Sequence, residues 1–303
     1  MRYLLMFAAA LACAQDRRVA ITIDDLPVAQ SGPDACEPTA LMEATKKLLT
    51  HFKGLPLTAF VIGRNCPDLT LEQRKAALGL WMEAGAEMGN HSYAHRDYNS
   101  MPAAEYAADI ERGDASLKQS TGLARIRYFR SPMLHTGRTK QDKQHLERFL
   151  AANGWQQAPV TFDNSDWLFA NVYAHALRTG DKALAKRVRD GYVPYMESVV
   201  AFFEKRAVEV VGRDIPHVLL FHSNHLNRDL GGELVKMFRR RGYRFITLEE
   251  ALRDDAYRLP DEYAGTGGFS WIHRWSRTKG MPNKGEPGEP KWVLDKFEEI
   301  SRR

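Results

Sequence analysis

Short apolar runs of strand length alternate along this chain with longer stretches in which apolar positions recur at a helical period. The strand-like runs cover residues 19–25, 57–63, 87–91, 128–132, 157–163, 218–222 and 245–248. Helical periodicity predicts helices over 39–52, 71–84, 103–120, 140–153, 182–206 and 230–241. Alternation of this kind argues for an α/β fold with a parallel sheet and helices outside it. Seven such units suggest a barrel rather than an open sheet, occupying residues 15–257. From Leu259 the rhythm stops, and the chain turns rich in glycine and proline, as in Gly280-Met281-Pro282-Asn283-Lys284-Gly285-Glu286-Pro287-Gly288-Glu289-Pro290. Such a composition disfavours regular elements. Yet Trp271, Trp275 and Trp292 are costly to leave in water. Residues 258–303 are therefore expected to form an irregular tail that packs on the barrel and ends in a short helix over 293–301, with a disordered tail as the alternative.

The first residues read as a targeting segment. Arg2 precedes an apolar core from Leu4 to Leu11, and Ala12-Cys13-Ala14 makes a small-residue cleavage site before Gln15. Residues 1–14 thus look like a signal peptide, too short to span a membrane. Export to the periplasm or the exterior is the expectation, with a lipid anchor through Cys13 as the other reading. No second long apolar stretch predicts membrane insertion. A net charge of +5 without a dense basic run gives no argument for nucleic acid. Neither G-x-G-x-x-G nor G-x-x-x-x-G-K-[ST] occurs, so there is no nucleotide fingerprint. Beyond the leader two cysteines are left, Cys36 and Cys66, each shortly after a predicted strand. In an oxidising compartment they can pair; in a reducing one they are two buried thiols. Oligomeric state cannot be read from the sequence.

The candidate chemistry gathers at strand ends. Ile21-Thr22-Ile23-Asp24-Asp25 closes the first run, and Asn90-His91-Ser92-Tyr93-Ala94-His95 follows the third. Asp25, His91 and His95 offer one carboxylate and two imidazoles, the ligand count of a catalytic zinc site with an open fourth position. The spacing of His91 and His95 fits one turn at a helical start. Adjacent carboxylates repel. A cation on Asp25 relieves this, and Asp24 beside Arg130 is then available as a base. A plain turn before Leu26-Pro27 is the structural alternative. His222 ends the sixth run and is either a core histidine or an acid set by a neighbouring carboxylate, for which Asp166 is the candidate. His225 competes with it for either role. Parallel barrels carry their chemistry at the carboxyl ends of strands, which favours a metal-dependent hydrolase.

These residues resemble the motifs of the polysaccharide deacetylases, carbohydrate esterase family four. Thr22-Ile23-Asp24-Asp25, His91-Ser92-Tyr93-Ala94-His95, Arg130-Ser131-Pro132-Met133, Asp163-Asn164-Ser165-Asp166-Trp167 and Leu220-Phe221-His222 are similar to its five motifs, in order. The resemblance implies a distorted (β/α)7 barrel. It implies Asp25, His91 and His95 as ligands of a divalent metal, Zn²⁺ foremost with Co²⁺ or Ni²⁺ able to substitute. It further implies Asp24 as general base oriented by Arg130, and His222 as general acid tuned by Asp166. Leu220 and Trp167 would line the acetyl pocket, and the N–H of Met133 would serve the oxyanion. Met133 stands where the family carries an aromatic ring, and Leu26-Pro27 where it has glycine. The implied activity is removal of N-acetyl groups from an amino-sugar polymer such as peptidoglycan or a chitin-like chain. A non-sugar amide, a polysaccharide O-acetyl ester and non-catalytic carbohydrate binding are the other readings.

Overall fold

The computed structural model describes residues 16–29 and 35–302; the leader with Cys13 lies outside the described residues. Its sheet has seven strands: β1 Arg17–Leu26, β2 Leu57–Val61, β3 Glu87–Asn90, β4 Tyr128–Phe129, β5 Gln156–Gln157, β6 His217–His222 and β7 Tyr243–Phe245. All pair in parallel, in the order β5-β4-β3-β2-β1-β6, with β7 on the first residues of β1. The chain beyond β5 curls back to β6. Phe162 bridges Leu219, and its N–H donates to the Val218 carbonyl at 3.0 Å. This return joins the two ends of the sheet and gives the distorted α/β barrel that the alternation predicts.

The helices are α1 Pro38–Thr50, α2 Leu71–Glu83, α3 Ala103–Thr121, α4 Lys140–Ala152, α5 Asp166–Thr179, α6 Lys182–Val211, α7 His225–Arg240, α8 Leu248–Leu252, α9 Trp271–Thr278 and α10 Lys291–Ser301. Local chemistry sets several of their ends. Thr70 and Gln73 form a capping box at α2, and Thr139 and Asp142 form another at α4. Gly122, left-handed at φ 74°, stops α3.

Several elements differ from the sequence reading; among them, the fifth run forms a strand only at Gln156–Gln157, and α7 starts at His225 rather than at 230. The last strand is Tyr243–Phe245 rather than 245–248, because Thr247 caps the helix that Leu248 opens. The fourth strand stops at Phe129, before Pro132 begins a 3-10 turn. Helix α5 was not predicted: its less buried positions, Trp167, Asn171, His175 and Arg178, make only a narrow stripe, and most of its remaining surface is buried. Helix α9 arises inside the segment whose composition argued against regular structure; Ser270 caps it, and the glycines and prolines lie mainly after it.

The C-terminal residues share the barrel's core. Trp271, Ile272, Trp275 and Val293 are buried in the main apolar cluster, the Trp271 N–H donates to the Val160 carbonyl at 2.7 Å, and Trp292 lies 4.1 Å under the Arg187 guanidinium. Trp275, at 1 % exposure, is a direct probe of this packing. Trp275→Ala is expected to lower the stability of the whole domain by about 3–5 kcal/mol, the usual cost of truncating a buried tryptophan, read as a shift of one cooperative urea transition. An unmoved main transition would mean that the segment packs independently of the barrel.

Candidate active site

The geometry of the site begins with a broken alternation. In a regular strand Asp24 and Asp25 would point to opposite faces. Here the pairing of β1 with β2 shifts register between Ile23 and Leu26, and Asp25 takes a left-handed φ of 65°. Such a bulge re-aims a side chain, and both carboxylates reach one cavity. Asp109 and Asn90 shape the next loop. The Asp109 carboxylate accepts the N–H groups of Tyr93 (3.2 Å) and Ala94 (3.1 Å), and Asn90 Oδ1 accepts that of Ser92 (2.9 Å). Ser92 and His95 are left-handed at φ 64° and 52°. The two imidazoles therefore meet through an irregular turn, not along the helical start that their spacing suggested. Gly113 of α3 permits the close packing: a Cβ there would stand 2.5 Å from Asn90 Oδ1.

Asp25 Oδ1 lies 3.3 Å from His91 Nε2 and 3.4 Å from His95 Nε2. The three ligand atoms lie within 4.8 Å of one another. Asp25 Oδ1 is buried and accepts no hydrogen bond, an arrangement that costs free energy unless a cation completes it. His91 Nδ1 lies 2.8 Å from the Arg130 carbonyl, which fixes the tautomer with Nε2 free to ligate. Burial holds His95 down to about 4 against the pull of Asp25, so its imidazole is neutral at physiological pH. Burial raises the Asp25 carboxyl, but His91, His222 and His95 outweigh it and keep the group well below its usual range. A carboxylate and two imidazoles around one orphaned oxygen fit a divalent cation.

Arg130 and His222 flank this triad. The buried Arg130 guanidinium donates through Nη1 to Asp24 Oδ1 (2.9 Å) and Thr22 Oγ1 (2.6 Å), and lies 4.3 Å over the Phe60 ring. His222 is the cross-strand neighbour of Asp24. Its Nδ1 donates to Asp166 Oδ1 at 2.6 Å, and its own N–H reaches Asp166 Oδ2 at 2.9 Å. Burial disfavours the imidazolium, yet the Asp166 carboxylate overcomes it, and His222 is pushed up to about 10.

Asp24, Asp25, His91, His95, Met133, Trp167, Leu220 and His222 line one cavity of about 420 Å³, with Asp166 and Arg130 just behind it. His225 is not among them. It opens α7 and lines another hollow with Val28 and Lys47. A larger cavity, about 600 Å³ between α4, β5 and the C-terminal segment, contains none of these residues. Cys36 and Cys66 are joined, with Cα atoms 5.3 Å apart. The bond anchors the turn whose Asn65 side chain donates to the carbonyls of Asp25 (3.0 Å) and Val28 (2.7 Å).

Several supporting residues were not read from the sequence. Asn224 and Asn227 donate to Asp166 Oδ2 at 3.2 and 2.7 Å. Asn224 also caps α7, so the cap signal before 225 could have found it. Asp163, which the sequence reading placed in a motif but gave no role, lines the cavity and is pushed up to about 7 by burial and by Glu286. Asn65 carries no local signal, because its partners are carbonyls of another loop.

The sequence profile of the polysaccharide deacetylases matches residues 12–147. Over these residues the chain is similar to the polysaccharide deacetylase family. The match contains the first three motifs, and the geometry above joins the other two to them. No curated protein matches the chain in sequence. Among solved structures it is similar to a family-four carbohydrate esterase from Streptomyces lividans in complex with acetate, at 18% identity and a TM-score of 0.51, over 78% of this chain and 97% of that one. It is also similar to a family-four pseudoenzyme from Bacillus anthracis, at 16% identity and a TM-score of 0.52, over 79% of this chain and 66% of that one. A mutant of that pseudoenzyme with restored enzymatic activity gives 17% identity and a TM-score of 0.52, over 79% and 68%. At these identities the likeness concerns the fold.

If Asp25, His91 and His95 are the ligand set of this site, His91→Ala should weaken divalent-metal binding by more than about 100-fold, beyond the loss usual for outer-shell changes. Equilibrium dialysis with Zn²⁺ reads this directly. Undiminished binding would exclude the triad.

Proposed function

We propose that this chain is a metal-dependent deacetylase that removes N-acetyl groups from an amino-sugar polymer and releases acetate. One observation carries the reading: a carboxylate paired with an arginine and an imidazole held protonated by a carboxylate face one cavity from adjacent strands, beside a three-residue metal triad. A carboxylate and a proton-bearing imidazole that face one cavity are the parts that an acid and base pair needs. Among the described residues no helix is long and apolar enough to cross a membrane. The same reading has the enzyme exported by residues 1–14, and the Cys36–Cys66 bond supports an oxidising compartment.

Asp25, His91 and His95 would hold the ion, with Zn²⁺ the best match to this donor set. Once bound, it supplies a Lewis acid that acidifies water and polarises a carbonyl. Asp24 takes the proton of the attacking water. Its pairing with Arg130 keeps the carboxylate turned inward, since Oδ1 is fixed at 2.9 Å. Charge that develops on the acetyl oxygen is met by the N–H of Met133, which stands at the cavity rim. His222 then delivers its proton to the leaving nitrogen, because an amide anion is too basic to depart unaided. Leu220 and Trp167 shape the space for the methyl group and the sugar.

An O-acetyl ester needs far less help at the leaving group, and this separates the two readings. His222→Ala should lower acetate release from N-acetylglucosamine oligomers or peptidoglycan by 10²–10⁴-fold, the usual contribution of general acid catalysis, and lower hydrolysis of an aryl acetate much less. Equal losses on both would count against His222 as the acid. No release from either amino sugar, with the aryl ester still cleaved, would move the reading to acetyl esters or non-sugar amides.

The pH profile offers a second test. A group with a raised pKa keeps its proton to higher pH, so the acid form of His222 persists until its folded pKa near 10 is approached. A bound cation would offset the part of that rise that comes from Asp25 and Asp24, but not the part from Asp166. Asp166→Asn should therefore move the basic limb of kcat/KM to lower pH. An unmoved limb would mean that another group sets it.

A further inference from the structure

The loop from Ser131 to His135 carries two successive non-glycine residues in the left-handed region, Met133 at φ 56° and Leu134 at φ 56°. Such backbone persists only where its surroundings over-determine it. The loop holds itself through two turn hydrogen bonds, Leu134 N–H to the Ser131 carbonyl (3.0 Å) and His135 N–H to that of Pro132 (3.1 Å). Most of the rest comes from the C-terminal segment. The Gly265 N–H donates to the Gly137 carbonyl at 3.1 Å. The buried Arg274 guanidinium, stacked 4.3 Å over Trp271, donates to Thr136 Oγ1. Ser270 is fully buried, and its hydroxyl donates to the Thr161 carbonyl at 2.9 Å, tying the segment to the barrel. Closest of all is Gly268. A Cβ there would overlap the Met133 carbonyl oxygen and lie 3.0 Å from its carbon and 3.3 Å from His135 Cδ2. From the other side, Asp97 pairs with His135 Nδ1 at 2.7 Å. The Met133 loop is thus clamped between the metal-ligand loop and residues 261–275, a segment outside the family match at 12–147.

We propose that Gly268 and its segment are positioning elements of the catalytic site: they press the Met133 loop into the strained conformation that turns its N–H toward the reacting oxygen. This rests on the deacetylase reading above. The consequence is specific. Disturbing the segment at Gly268 should damage the chemical step while leaving metal binding intact, because the triad stands on other loops.

The test compares Gly268→Ala with Gly285→Ala, the latter further along the C-terminal tail with nothing within 4 Å of an added Cβ. In Gly268→Ala, kcat for acetate release should fall by about 10²-fold, the scale of losing one oxyanion donor. KM should change less than about twofold, and bound Zn²⁺ should stay at the wild-type level. Amide hydrogen exchange over residues 131–136 should rise at least about tenfold, and exchange over 91–95 should not. Gly285→Ala should match wild type in every readout. Unchanged exchange over 131–136, or unchanged kcat in protein whose wild type releases acetate, overturns the inference. A wild type that releases no acetate overturns the deacetylase reading alone, and exchange then decides this one. If Gly268→Ala does not fold, Thr136→Val should raise exchange over 131–136 and Thr136→Ser should restore it; failure of that contrast is equally fatal.

Discussion

The Arg130 guanidinium is the interaction on which the rest of this site depends. A buried cation is tolerable only when its donors are satisfied and its charge is matched. Arg130 meets both conditions by reaching Asp24 and Thr22 on β1 and the carbonyls of Ala158 and Pro159 beyond β5, while Phe60 of β2 lies beneath it. Its own carbonyl accepts from His91 Nδ1. One residue thus fixes Asp24, His91 and the return of the chain toward β6. Removing one partner of such a buried pair typically costs about 3–5 kcal/mol, so the catalytic geometry and the integrity of the barrel are hard to separate at this position.

A second constraint follows from strand alternation. Two neighbouring carboxylates can share a cavity only if the strand breaks its pleat between them, and the bulge at Asp25 does this. The bulge is held from outside by Asn65, which the Cys36–Cys66 bond anchors. The histidine loop is similarly irregular, with its backbone amides satisfied by Asp109. The site is therefore a set of strained strand ends, each supported by a polar residue on a neighbouring element. That is the arrangement expected where geometry is selected over local stability.

Much of this was legible in the sequence, for identifiable reasons. The strands around Ile21, Phe60 and Leu219 are apolar runs bounded by turn residues, and the chemistry sits at their carboxyl ends. Asp24, Asp25, His91, His95 and His222 come together in the cavity for that reason. What escaped the sequence depends on contacts distant along the chain. Helix α5 shows only a narrow polar stripe because α6, α7 and α10 cover much of its surface. The turn between His91 and His95 is set by Asp109, and no spacing rule encodes that. Asn65 and Gly268 act on carbonyls of other loops, and Asn227 on a carboxylate of another element. His225 had the right chemistry, but it lies past the strand end, in the first turn of α7.

The central claim is a division of labour between two adjacent aspartates: Asp25 holds the metal and Asp24 moves the proton. Zn²⁺ binding and acetate release measured side by side in Asp24→Asn and Asp25→Asn test it most directly. The account predicts that Asp24→Asn binds one Zn²⁺ with near wild-type affinity and releases almost no acetate, whereas Asp25→Asn loses the metal. Loss of metal in Asp24→Asn, or sustained acetate release by either variant, would contradict it.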